Sequence, residues 1–217
     1  MAAWAAHERC DYGLSMISEM LPRRLILTDD PLRAKMLSAH HLEYSTLLYE
    51  QGDVLVYSGS YKDVPIVLAS TGIGSDAVLS YFEEYKGLGA AEIAYVGACV
   101  STSDKSAADG GELRSVVLAA GGSRRLLDRA LRTAKQYGIG ATIRKVLPPD
   151  SLQPEGGCIV DDVTGALYDQ TRADGIKALS VLTVSENTKT GEKIEEHEKR
   201  SRFYAAARLV FEMHALN

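Results

Sequence analysis

Long hydrophobic runs are missing from this 217-residue chain, and so are runs of positive charge. No apolar stretch approaches the roughly 20 residues that a membrane-spanning helix needs. Lysine and arginine number 24 against 29 acidic residues, for a net charge of −5, and the basic residues never cluster. That balance argues against nucleic acid as the main partner. Cysteine is scarce: Cys10, Cys99 and Cys158 form an odd set without a CxxC pair, the usage expected of reduced thiols in a cytosolic protein. There is no Gly-x-Ser-x-Gly elbow and no Walker loop. His40 and His41 are adjacent, not at metal-ligand spacing, so no metal is expected. The opening MAAWAAHERC lacks the basic-then-apolar order of a secretory leader. These absences set a cytoplasmic expectation.

What is present is the composition of an ordinary globular protein, 46% hydrophobic and 24% charged. At this length one domain over residues 1–217 is the simplest organisation, with residues 1–20 as a possible N-terminal extension. Apolar runs read as strands at 23–28, 54–60, 66–70, 92–99, 113–119, 141–147 and 178–184. Residues 54–60 and 66–70 form a hairpin around Tyr61-Lys62-Asp63. Helices are expected after Pro31, from Asp76 to the glycines at 87 and 89, after Ser123 as cap, over 164–173, and as one long terminal helix over 191–214. Residues 101–111 read as a polar loop. Strands alternating with helices call for an α/β, three-layer sandwich with a twisted, mostly parallel central sheet.

The stretch 54–99 is the most informative. Thr71-Gly72-Ile73-Gly74-Ser75 sits between a buried strand and a helix, where backbone N–H groups can meet an anion or a hydroxyl edge. The glycines read either as that close approach or as tight strand-to-helix packing. Cys99, at a strand end with no histidine partner to name, reads as a buried structural thiol.

Gly59-Ser60-Tyr61-Lys62, the loop at 70–74, Val96-Gly97-Ala98-Cys99, Asp30-Pro31-Leu32-Arg33 and Leu182-Thr183-Val184-Ser185-Glu186 together resemble the nucleoside phosphorylase family, the trimeric and hexameric purine and uridine phosphorylases with their related nucleosidases. The likeness runs over about residues 22–212. It implies the family's fold, a homo-oligomer, a nucleoside or related ribosyl ligand, and phosphate as co-substrate with no other cofactor. It also implies a substrate-binding set of Arg33, Thr71, Gly72, Gly74 and Lys199, with Glu186 as proton donor to the leaving base.

Against the family pattern the chain is depleted. Asp29 replaces a glycine before the Asp-Pro-x-Arg turn, which leaves Arg33 as either the retained anion contact or a helix-surface arginine. Tyr95 and Ala98 replace an arginine and a serine of the phosphate site, and a further arginine, which would fall near Gly52, is absent as well. Two cations and a hydroxyl lost amount to several charge-assisted bonds at roughly 1.5–3 kcal/mol each. Val163 stands where a glutamate would hold the ribose hydroxyls. Asp161 or Asp162 could substitute, or could cap the following helix. Lys199 stands near the arginine that assists the acid, on a stretch that reads equally as a solvated helix face. The segments that wall the pocket, between Ala119 and Ser123 and between Gln153 and Cys158, are short. The expectation is therefore an ancestral phosphorolytic cleavage of a nucleoside N-glycosidic bond, weakened or lost. The alternatives are a non-catalytic scaffold or regulatory subunit that pairs with an active relative, or a hydrolytic nucleosidase.

Overall fold

The computed structural model describes residues 23–87, 89–103, 111–151, 157–195, 198 and 203–216. Cys10, the possible extension over 1–20, Lys199 and most of the loop expected over 101–111 lie outside these residues. Strands β1 (Arg24–Thr28), β4 (Val64–Ser70), β5 (Glu92–Ser101) and β10 (Lys177–Asn187) form the parallel centre of one sheet. They read as near-continuous apolar runs because both their faces are covered. The full order is β2-β3-β4-β1-β5-β10-β6-β7, with β2 (Glu43–Gln51), β3 (Val54–Tyr61), β6 (Val116–Ala119) and β7 (Ala141–Arg144) completing it. Short strands β8 (Val146–Leu147), β9 (Ile159–Val160) and β11 (Glu192–Lys193) extend its ends.

Alternation along the central strands divides the core in two. Leu25, Leu27, Ile93, Tyr95, Leu182 and Val184 face helices α2 (Ser75–Gly87) and α4 (Val163–Ala173). Ile26, Ala94, Val96, Leu179 and Val181 face α1 (Pro31–His41), α3 (Arg124–Tyr137) and α5 (Tyr204–Ala215). The three-layer α/β sandwich is thus the architecture, with period-2 strands feeding two separate helical layers.

Several elements differ from the sequence reading. Among the described residues the long terminal helix expected over 191–214 gives way at its start to a turn and strand β11, and its last part is the helix Tyr204–Ala215. Asn187 Oδ1 accepts from the N–H groups of Lys189 and Thr190, Gly191 takes φ +72, and Glu192 then pairs back on Asn187. The strand at 141–147 is two strands, β7 on β6 and β8 on β9. The one at 113–119 starts only at Val116, after Arg114 takes φ +73. Ser123 occupies the cap position of α3 but its side chain makes no cap bond. Strand β2, to which the apolar pattern assigns nothing, is exposed along most of its length on both faces.

Tyr168 of α4 ties its layer to the sheet where β10 and β6 part. Its hydroxyl donates to Ala119 O at 3.0 Å and accepts from Ser180 N at 2.9 Å, and burial pushes its pKa up to about 12. Gly122 makes this possible, since a Cβ there would lie 2.6 Å from Ala178 O and 2.7 Å from the Tyr168 ring. Gly122→Ala should therefore cost about 1–3 kcal/mol through overpacking. Gly165→Ala, on open α4 surface, should instead raise stability by about 0.5–1 kcal/mol through helix propensity. Thermal unfolding of the two variants side by side checks both signs.

Candidate functional site

The carboxyl ends of β4, β1, β5 and β10 lie along one edge of the sheet, the usual place for a ligand in α/β folds. The edge is stepped. The β1–β5 pairing ends with Leu27 opposite Tyr95, while β5 and β10 continue together to Ser101 and Asn187. A register shift between Val184 and Glu186 marks a bulge in that overhang, a device that re-aims side chains.

Arg33 stands in the first turn of α1, which Pro31 starts and Asp30 caps through Leu32 N at 2.8 Å. It is not a surface residue: only 4% of it is exposed. Its Nη1 donates to Asp29 Oδ1 and, at 2.9 Å, to Thr28 Oγ1, while its guanidinium carbon lies 4.0 Å from the centre of the Phe203 ring. Its Nε is buried without a hydrogen-bond partner. The cation nearest the expected phosphate position is thus already neutralised by the chain's own carboxylate.

The Gly-rich loop is likewise occupied from within. Thr71 is buried, with its hydroxyl on Thr28 O and Gly72 O. Gly72 and Gly74 take φ +84 and +93, conformations that favour glycine. At Gly74 the close neighbour is Asp162, whose Oδ2 would sit 3.4 Å from an added Cβ and accepts from Ser75 N at 3.3 Å. Asp162 reaches across from the start of α4 to the start of α2 and makes no side-chain bond to its own helix. The capping of α4 falls to Asp161, whose Oδ2 accepts from Thr164 N at 2.8 Å and Thr164 Oγ1 at 2.6 Å.

Asp161, which the sequence offers as a helix cap or a substitute ribose acceptor, is also desolvated. Burial raises its pKa to about 6, against the Thr164 hydrogen bonds, and Asp162 adds to the rise. Tyr95 is fully enclosed, and its ring lies over Gly97, where an added Cβ would fall 2.4 Å from it. Burial holds the Tyr95 hydroxyl well above its ordinary pKa. The fields of Asp29, Asp161 and Asp162 push the same way and Arg33 opposes them. Burial and Asp161 likewise push up the Cys99 thiol, the reverse of what a reactive cysteine needs.

Glu186, on the overhang, is about a third exposed and pairs with Lys193 Nζ at 3.0 Å. Lys193, on β11, is the cation beside it among the described residues. Val163 is enclosed in the core between sheet and helices, 1% exposed. A cavity of about 280 Å³, lined by Gly121, Gly122, Tyr168, Arg172 and Lys177 among others, lies at the opposite edge, where β10 begins. It holds none of the expected site residues.

No family model matches the chain. It is 27% identical over 221 residues to the purine nucleoside phosphorylase DeoD-type of Alkaliphilus metalliredigens (strain QYMF), covering 87% of this chain and 93% of that protein. It is also 27% identical over 206 residues to the DeoD-type enzyme of Bacillus subtilis (strain 168), covering 83% and 88%. The solved purine nucleoside phosphorylase of Toxoplasma gondii, in complex with immucillin-H, superposes with a TM-score of 0.80 at 17% identity, over 91% of this chain and 92% of that one. These matches support a divergent member of the nucleoside phosphorylase family.

Within that family frame the edge keeps its backbone and changes its groups. Arg33, Thr71, Gly72 and Gly74 gather at the ends of β1 and β4, and Glu186 lies further out along the same edge. The residues that differ most in consequence are Asp29, Tyr95 and Asp162. Asp29 and Tyr95 stand where the family pattern has a glycine and an arginine, and Asp162 sets a carboxylate at the start of α2.

Proposed function

We propose that this protein keeps the family's ligand edge for a nucleoside or related ribosyl molecule, and that its phosphorolytic cleavage of the N-glycosidic bond is weak or lost. The observation that carries this reading is the buried pair of Arg33 with Asp29. Phosphate bound there would have to displace a carboxylate already held in place, with no second arginine at position 95 to help. A nucleophile held loosely loses most of the advantage of positioning. Residual chemistry, as a pentosyltransferase, would run with Glu186 as proton donor and with Arg33, Thr71, Gly72, Gly74 and Lys199 toward the substrate. A hydrolytic nucleosidase suits the poor phosphate site but meets the same lack of a ribose acceptor at Val163.

The second reading is a non-catalytic scaffold or regulatory subunit that pairs with an active relative. Strand β2 favours it: Tyr44 is 92% and Leu47 43% exposed on a strand uncovered on both faces. Either reading goes with a cytoplasmic homo-oligomer or mixed assembly.

The test is base release from a panel of purine and pyrimidine nucleosides, with and without phosphate. The expected result is phosphate-dependent release at or near the uncatalysed rate. Substantial release that Arg33→Ala and Glu186→Ala both abolish would overturn the proposal. Thermal shifts with the same nucleosides then separate the readings: a shift supports the ligand site, and none supports the scaffold.

A further inference from the structure

Two positions on the carboxyl edge are built to receive an anion, and each already holds one from the chain itself. The first is Arg33. It is 96% removed from solvent, reckoned as the complement of its 4% exposure. It carries a buried Nε without a partner, yet its Nη1 is joined to Asp29. The second is the start of α2, a 13-residue helix, whose free N–H groups favour negative charge. There Asp162 accepts from Ser75 N at 3.3 Å. This is no ordinary local cap, since the carboxylate arrives from 87 residues along the chain and serves a helix other than its own. Gly74 supplies the clearance: an added Cβ would stand 3.4 Å from the Asp162 oxygen.

We propose that Asp29 and Asp162 are specificity-determining residues that act as built-in anions: they exclude inorganic phosphate and other anions from this edge and leave it to uncharged or cationic ribosyl ligands. The inference rests on the reading given under Proposed function and deepens it by naming the ligand class. Its physical basis is substitution. A tethered carboxylate competes at an effective concentration far above that of a free anion. Two carboxylates on one edge also raise the cost of bringing in a third negative charge.

The experiment is isothermal titration of inorganic phosphate into the full-length wild-type chain, Asp29→Asn, Asp162→Asn and the double variant. Asparagine keeps an acceptor oxygen at each place and removes only the charge. The wild type is expected to show no saturation up to about 10 mM, and the double variant to bind at least about tenfold more tightly, near 1 mM or below. Adding Arg33→Ala to the double variant should remove the share of that gain that Asp29→Asn releases. A folded double variant that still ignores phosphate overturns the inference and leaves the loss of phosphorolysis standing. Saturable phosphate binding by the wild type overturns both. A gain left undiminished by Arg33→Ala also overturns the inference. Should the double variant fail to fold, Asp162→Asn alone carries the test. Its change lies at an exposed helix start, and absence of any gain in phosphate affinity there overturns the proposal.

Discussion

Replacing His214 by leucine should remove about 2 kcal/mol of the stability lost between about pH 8 and about pH 5. His214 lies near the end of α5, fully buried, with both ring nitrogens lacking a hydrogen-bond partner. Burial lowers its pKa from 6.5 to about 3. Glu92 pulls it upward, and Arg24 and Arg129 push it further down. The folded state therefore keeps the ring neutral where the unfolded chain would protonate it. A depressed folded-state pKa gives stability that is present above about pH 6.5 and lost as the pH falls toward 3. His41 acts with the same sign. It is stacked 4.4 Å from the Phe211 ring centre, and burial, with His40 and Arg208, lowers its pKa to about 4 against the opposite pull of Glu212. Asp161 has the opposite sign, since its pKa is raised to about 6, and it returns a part of the loss as the pH falls from 6 through 3.8. Comparing wild type with His214→Leu isolates one contribution from this mixture. Urea denaturation at about pH 8, 6.5 and 5 measures it, and parallel pH dependence in the two proteins would sink the assignment.

Burial on both faces decided which elements the sequence could reveal. Strands β1, β4, β5 and β10 are legible because nearly every residue is apolar, and the turn at Asp30-Pro31 and the glycines at 72 and 74 punctuate them. Strand β2 is illegible for the complementary reason: Glu43–Gln51 is solvated on both faces, so no alternation marks it. The charged stretch after Gly191 has the composition of a solvated helix. What makes Glu192–Lys193 a strand is tertiary, the hold of Asn187 on the turn and the pairing of β11 with β10.

The site divides the same way. The family motif located Arg33, and the four-residue spacing from Asp29 to Arg33 is plain in the sequence. That the pair is buried, with Phe203 of a segment 170 residues later stacked on the guanidinium, is a property of the assembled layers. The pair Asp161-Asp162 reads either as helix caps or as substitutes for the ribose acceptor, and both carboxylates accept from the N–H of a helix start. Only the fold shows that the second of them caps α2 and that the first is desolvated enough to titrate near neutrality. Partners on separate elements, such as Asp162 with Ser75 N and Glu186 with Lys193, carry no sequence signature.

Asp29→Ala should destabilise the protein by about 3 kcal/mol, more than Arg33→Met, because it strands the more deeply buried charge. Arg33 is 4% exposed at its side chain against 19% for Asp29. Without Asp29 the guanidinium keeps Thr28 Oγ1 and the Phe203 face, neither of which neutralises it. Arg33→Met leaves a carboxylate that can turn to water, so a cost nearer 1–2 kcal/mol is expected. The double replacement should then be less damaging than the sum of the singles. That coupling measures the pair itself and not the two side chains. For a chain of this length each kcal/mol corresponds to roughly 2–4 °C in Tm, so the Asp29→Ala loss should appear as about 6–12 °C. Phosphate supplies the functional half of the same experiment. An anion that binds only the folded Asp29→Ala protein stabilises it by mass action, so added phosphate should restore part of the lost Tm in that variant and none in the wild type or in Arg33→Met. Equal phosphate effects in all three proteins would mean that Asp29 does not stand in the anion's place, and would overturn the proposed exclusion of phosphate.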